Sequence, residues 1–197
     1  MEAGDDFFLQ FGIKVYQQIA AANQIKPREG RILDYVLNGQ NDHLPDFLMV
    51  YREMVKAIRF LHDQGQKHGD IRRDHILLDR KTGDYRWIDF DYDYYHAANM
   101  FGYDIFGLGN ILIFLVGGGD ITIQQLQADK SPLLEKLAPD DMNIIFNNRV
   151  ANIQKIYPYV PDALNYILLH FSQGANLYYE STGQLLTDLE EIQIKGG

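Results

Sequence analysis

His68-Gly69-Asp70-Ile71-Arg72-Arg73-Asp74-His75-Ile76-Leu77-Leu78-Asp79, followed after a short interval by Trp87-Ile88-Asp89-Phe90-Asp91, is the stretch on which the fold turns. Ile76–Asp79 and Tyr85–Asp89 read as two short strands, and Arg80-Lys81-Thr82-Gly83-Asp84 between them as a hairpin loop with its glycine. The hairpin would bring Asp70, on a loop, and Asp89, at a strand end, to one edge. Upstream, Phe47, Val50, Tyr51, Met54, Val55, Ile58, Leu61 and His62 form one apolar stripe, which predicts a helix closed by Gly65. Downstream, the segment from Asp104 to Val116 is apolar nearly all round, so a helix there belongs in the middle of a core.

Beyond Gly117–Gly119 the chain reads as helical over 121–127, 139–157, 161–171 and 182–192, with Asp120, Asp140, Asp162 and Ser181 near the N-caps. Phe11, Ile13 and Val15 alternate like a strand while Phe8, Phe11, Val15 and Ile19 recur at helical spacing; we read a short strand over Phe11–Val15 running into a helix over 16–23, with Arg31–Leu37 as another strand ending at Asn38-Gly39. The layout predicts an α+β fold with a mostly helical body.

Composition narrows the function classes. With 18 Lys plus Arg against 27 Asp plus Glu the formal net charge is −9, which disfavours phosphate backbones and anionic lipid surfaces. No nucleic-acid or membrane partner is expected. There are no cysteines, hence no disulfides and no thiolate metal site. The N-terminus lacks the charge and apolar pattern of a signal peptide, and the 105–116 run is too short to span a bilayer. A cytoplasmic location is the expectation.

Two carboxylates converging from a loop and a strand end suit metal-assisted phosphoryl transfer. One accepts the proton of an attacking hydroxyl, and the other holds the cation that neutralises the phosphates. The same residues carry a family resemblance. His68-Gly69-Asp70 through His75 resembles the protein-kinase catalytic loop H-R-D-L-x-x-x-N, with the H-G-D form usual in aminoglycoside phosphotransferases. Asp89-Phe90-Asp91 resembles D-F-G, and the segment starting Asp104-Ile105-Phe106-Gly107-Leu108-Gly109 resembles the buried central helix of the kinase C-terminal lobe. Residues 32–39 look like the hinge between lobes, so the resemblance runs over roughly residues 30–193.

That resemblance implies a protein-kinase-like C-lobe over 31–197, with 1–30 as a reduced or remnant N-lobe element. It also implies ATP and Mg²⁺ (or Mn²⁺) as cofactors, and a hydroxyl-bearing acceptor. Asp70 would be the base, Asp89 the metal ligand and Arg72 a phosphate clamp. His68 and Phe90 would link the loops to the core, and Asp104 would accept hydrogen bonds from the loop backbone. Phe11-Gly12-Ile13-Lys14-Val15 resembles V-A-I-K, which would make Lys14 the nucleotide-binding lysine; otherwise it is a solvated surface lysine.

Several positions depart from the family pattern. His75 stands where an asparagine would hold the second metal, either as a ligand or as a surface-loop histidine satisfied by a carboxylate. Asp91 replaces the D-F-G glycine and could serve as an extra metal ligand. Only twelve residues separate Asp91 from Asp104, so the activation segment is essentially absent, and no Gly-rich loop precedes the hinge. A catalytically impaired, pseudokinase-like binding module and a fragment of a longer kinase are therefore the alternatives. A remote one is an HD-type metal-dependent phosphohydrolase, suggested by His62-Asp63 with His43 upstream. Asp89, Asp91 and Asp93 alternate as in a calcium loop, but Tyr94 and Met100 occupy the positions that need Gly and Glu.

Overall fold

The computed structural model describes residues 44–78, 85–91 and 99–192. The strand and helix expected before residue 44, the hinge at 32–39, Lys14, His43, the hairpin loop at 80–84 and Asp93 lie outside the described residues. Among the described residues the architecture is mostly helical, with one two-stranded antiparallel ladder.

Helix α1, Leu44–Asp63, follows from its apolar stripe: Tyr51, Val55 and Ile58 are fully buried. Gly65 follows at φ +70°, a left-handed turn that a side chain would strain. Strands β1, Ile76–Leu78, and β2, Tyr85–Trp87, pair with Ile76 opposite Trp87. Trp87 Nε1 donates to the Met54 carbonyl at 3.3 Å, which fastens the hairpin to α1.

Helix α2, Gly102–Gly117, is the core element its composition predicts, with Leu108, Leu112 and Val116 fully buried. It packs against α1 and against α4, Asp162–Leu169. The Tyr51 hydroxyl donates to the Leu108 carbonyl at 2.8 Å, giving the buried phenol its partner and cross-linking α1 to α2. Helix α3, Ile123–Ala128, is capped by Thr122 and Gln125 in a capping box, not by Asp120. Helix α5, Thr182–Glu191, starts on Ser181 as expected and packs mainly on α1.

One long helix is absent. Residues 139–157 form short 3₁₀ turns at Pro139–Asp141 and Ile153–Lys155, joined by irregular chain. Asp140 caps nothing there, and Asp162 lies inside α4 after Pro161 instead of capping it. The cause lies in two buried polar residues. The Asp141 carboxylate takes bonds from the Ala138 amide, the Asn152 amide group and Lys155 Nζ, at 2.7, 2.8 and 2.6 Å. Asn143 Oδ1 accepts the Ile145 and Phe146 amides, both at 2.8 Å. Side chains that satisfy nearby backbone donors offer the chain an alternative to a helix, and here that alternative wins.

Two glycines of α2 show how tightly the core is drawn. A Cβ on Gly109 would lie 2.3 Å from the Phe171 ring, while one on Gly117 would make ordinary 3.5 Å contacts with Ile121 and Ile153. Gly109→Ala is expected to lose about 1–3 kcal/mol through overpacking. Gly117→Ala should be neutral or gain up to about 1 kcal/mol from helix propensity. Urea denaturation of the two variants checks the contrast.

Candidate active site

The site begins with a buried carboxylate. Asp104, in the first turn of α2, is 1% exposed. It accepts the backbone N–H of His68 on Oδ2 and that of Gly69 on Oδ1, both at 2.7 Å. His62 Nε2, from the end of α1, reaches Oδ2 at 2.9 Å. His62 also stacks on Phe101 with ring centroids 4.1 Å apart. Three donors from two segments thus compensate the desolvation of one charge.

The loop held this way requires glycine at its centre. Gly69 sits at φ +85°, and a Cβ there would lie 1.8 Å from the Asp91 carbonyl oxygen. The Asp91 amide donates to the His68 carbonyl at 2.8 Å, so the segments around Asp70 and Asp89 run in backbone contact. His68 is fully buried, stacks on Phe90 at 4.3 Å and meets the edge of Trp87 at 5.3 Å. Burial lowers its pKa from the ordinary 6.5, against the opposing pull of the Asp104 charge.

Asp70 follows directly. Its backbone N–H donates to His68 Nδ1 at 3.3 Å, and its half-buried side chain lines a cavity of about 440 Å³. Arg72, Asn110, Phe106, Phe146 and Arg149 also line it. Ile71 seats its side chain where α2 has Gly107; a Cβ there would stand 2.5 Å from Ile71 Cβ. Arg72 lies at the cavity edge and forms a forked pair with Asp74, at 3.1 and 2.8 Å.

His75 is buried, not a surface-loop residue. Its Nδ1 lies 2.9 Å from the Asp70 carbonyl and 3.5 Å from Asp70 Oδ2, while Nε2 lies 3.8 Å from Asp89 Oδ2. The imidazole therefore stands between the two carboxylate-bearing residues. Asp89 itself adopts φ +57°, a left-handed conformation that Asp tolerates better than most residues, and its side chain is 69% exposed. Asp91 is exposed and contributes its backbone to the His68 segment. Among the described residues, no three His, Asp or Glu side chains converge as a ready metal cluster. Oxygen donors from phosphates and water would have to complete any shell built on Asp89.

His62 and Asp63 face apart. His62 is committed to Asp104, whereas Asp63 is exposed and pairs with Arg59 at 3.7 Å. No HD-type metal dyad forms there. The cavity also gathers residues that motif reading passed over. Arg73 stacks on the Phe114 ring at 3.8 Å and meets Asp120 at 3.3 Å, and Arg149 holds the same carboxylate at 3.0 Å. No short spacing links Arg73, Asp120 and Arg149, so only the fold could bring them together.

Comparison with known proteins adds short-range likenesses. No protein-family model matches the chain. Over 55 residues it is 38% identical to the B1 kinase of Monkeypox virus, a stretch covering 27% of this chain and 18% of that protein. It is 41% identical over 39 residues to the serine/threonine-protein kinase pim-2 of Danio rerio, covering 20% of this chain and 13% of the relative. Over 117 residues it is 26% identical to the 2-5A-dependent ribonuclease of Mus musculus, covering 58% of this chain and 15% of the relative. The matched stretches span less than a fifth of each relative's length. They support a kinase-like relationship over those stretches.

Two stability measurements probe this site. Asp104→Ala leaves the His68 and Gly69 amides and the His62 ring without their buried acceptor. A loss of about 3–5 kcal/mol is expected in urea denaturation, with Asp104→Asn intermediate. His68 gives a pH signature. Its native pKa lies below the unfolded 6.5, so the unfolded chain takes up more protons as pH falls through that value. Stability should decline below about pH 6.5 and level off once the native imidazole also titrates. The decline over that window should shrink in His68→Phe, which keeps an aromatic ring against Phe90.

Proposed function

We propose that residues 31–197 act as the C-lobe of a protein-kinase-like phosphotransferase that moves the γ-phosphoryl group of ATP to a hydroxyl acceptor. The observation that carries this reading is the anchored loop. Asp104 fixes the backbone of His68 and Gly69, and Asp70 then stands at a cavity large enough for an acceptor group. The kinase-like matches support the same reading at the level of relationship.

In this mechanism the Asp70 carboxylate orients the acceptor hydroxyl and takes its proton as the oxygen bonds to the γ-phosphorus, while the bond from that phosphorus to the bridging oxygen breaks and ADP leaves. The divalent ion, held by Asp89 with Asp91 beside it, would neutralise charge on the phosphate oxygens. Arg72 would exchange its fork from Asp74 to the transferred phosphate, since a guanidinium matches both groups. Lys14 would serve the nucleotide from the N-terminal segment. A nucleotide and a hydroxyl-bearing acceptor are the partners this implies.

A second reading is a pseudokinase-like module that binds a nucleotide or a partner without turnover. What favours it is that Arg72 is engaged by Asp74.

Nucleotide binding and turnover separate the two. ATP at 100 times its Kd with Mg²⁺ or Mn²⁺ should stabilise the chain by about 2.7 kcal/mol, a Tm rise of about 5–10 °C. No shift with either metal would sink the enzyme reading. Given a shift, Asp70→Asn should lower γ-phosphate transfer by about 100-fold or more while leaving the shift in place. Turnover unchanged in that variant would remove Asp70 from the mechanism, and binding without any turnover in the parent chain selects the pseudokinase reading.

A further inference from the structure

Two arginines on the wall of the Asp70 cavity share one carboxylate. Arg73 Nη2 donates to Asp120 Oδ2 at 3.3 Å, and Arg149 Nη1 to Asp120 Oδ1 at 3.0 Å. Two guanidiniums against one carboxylate leave a surplus of positive charge there. Each guanidinium also lies over a phenyl ring. Arg73 Cζ is 3.8 Å from the Phe114 centroid, and Arg149 Cζ is 4.1 Å from that of Phe146. Stacking occupies the faces of the guanidiniums and leaves their edges, which carry five N–H donors each.

The pair is also preorganised. Arg73 opens the 3₁₀ turn Arg73–His75, directly after the loop that Asp104 anchors. The Arg149 N–H donates to the Phe146 carbonyl, and the Arg149 carbonyl accepts the Asn143 N–H, both at 2.8 Å. With side chains 24% and 30% exposed, the two charges are screened less than they would be at an open surface.

Charge is distributed unevenly along the cavity. Arg72 and Asp74 neutralise each other in their fork, so negative charge resides at Asp70 and the surplus positive charge at Arg73 and Arg149. The lining includes Asp70 but not Asp89, which sets the arginine pair on the side of the acceptor and apart from the metal. A volume of about 440 Å³ falls within the range of small-molecule sites, about 300–1,000 Å³.

We infer that Arg73 and Arg149 form an oxyanion subsite, and that the hydroxyl acceptor is a small molecule bearing a phosphate or carboxylate group besides its reacting hydroxyl. The planar donor edges match two oxygens of either group, and the hydroxyl falls to Asp70. This deepens the phosphotransferase reading and rests on it for the reacting hydroxyl, whereas oxyanion binding stands without it.

Calorimetric titration of the full chain with inorganic phosphate and with succinate, at matched ionic strength, tests the subsite. At least one should bind and raise the Tm of the parent chain, and the tighter of the two identifies the group the acceptor carries. Arg73→Gln and Arg149→Gln should each weaken that binding about tenfold or more. Arg149→Lys keeps the charge where the neutral variant fails to fold, and it should still weaken binding through loss of the fork. Arg59→Gln, at an exposed ion pair on α1, should leave binding unchanged. No binding of either anion to the parent chain, or undiminished binding in the folded Arg73 and Arg149 variants, would overturn the subsite. Given phosphate transfer, glycerate should exceed glycerol as acceptor by about tenfold or more in kcat/KM, and Arg73→Gln should erase that preference. Equal use of the two acceptors by the parent chain would overturn the acceptor class. Arginine-dependent oxyanion binding with no thermal shift from ATP would keep the subsite and sink the phosphotransferase reading. An ATP shift with turnover, but without oxyanion binding, would do the reverse.

Discussion

The buried carboxylate of Asp104 joins the end of α1, the start of α2 and the loop that carries Asp70. An ionised group taken out of water costs several kcal/mol unless donors surround it. The donors here are the His68 and Gly69 amides and the His62 ring. One side chain on the central helix therefore ties down the end of α1 and the loop that carries Asp70. Removing it would leave the His68 and Gly69 amides and His62 Nε2 without their acceptor at once. The loop's conformation thus follows from the solvation of that charge together with the positive φ that Gly69 permits.

Close backbone approach transmits that anchoring to the site. Gly69 lets the Asp91 carbonyl pass within reach, and Gly107 lets Ile71 seat against α2. The His68–Phe90 stack then couples the loop to the segment that follows β2. Asp70 inherits rigidity from this frame, while Asp89 turns out of it at positive φ with its carboxylate largely in solvent. The pair is accordingly unequal. One member is positioned by the core, and the other stands largely in solvent.

Much of the frame was legible from periodicity and composition. The stripe from Val50 to His62 specifies α1, the all-round apolar 105–116 run specifies a central α2, and Ser181 specifies the start of α5. The segment 139–157 was not legible, because its apolar spacing fits a helix while Asp141 and Asn143 recruit the local backbone instead. Such a contest is decided by which side chains end up buried, and burial belongs to the whole fold. The same holds for Arg73, Asp120 and Arg149, which meet only after residues far apart in the chain are packed together.

The order of amino acids places Asp70 and Asp89 on either side of a short hairpin, between a helix with one apolar stripe and a helix that is apolar all round, because strand and helix periods are local properties. It also determined the residue types available there: carboxylates, an arginine and an imidazole, with no thiolate. The burial and the tautomer of His75 come from packing across the fold. Its place as a loop histidine gave no sign of burial, and its tautomer depends on a carbonyl five residues earlier folding back onto Nδ1. Directionality of hydrogen bonds, which a sequence does not carry, turns that imidazole towards Asp89.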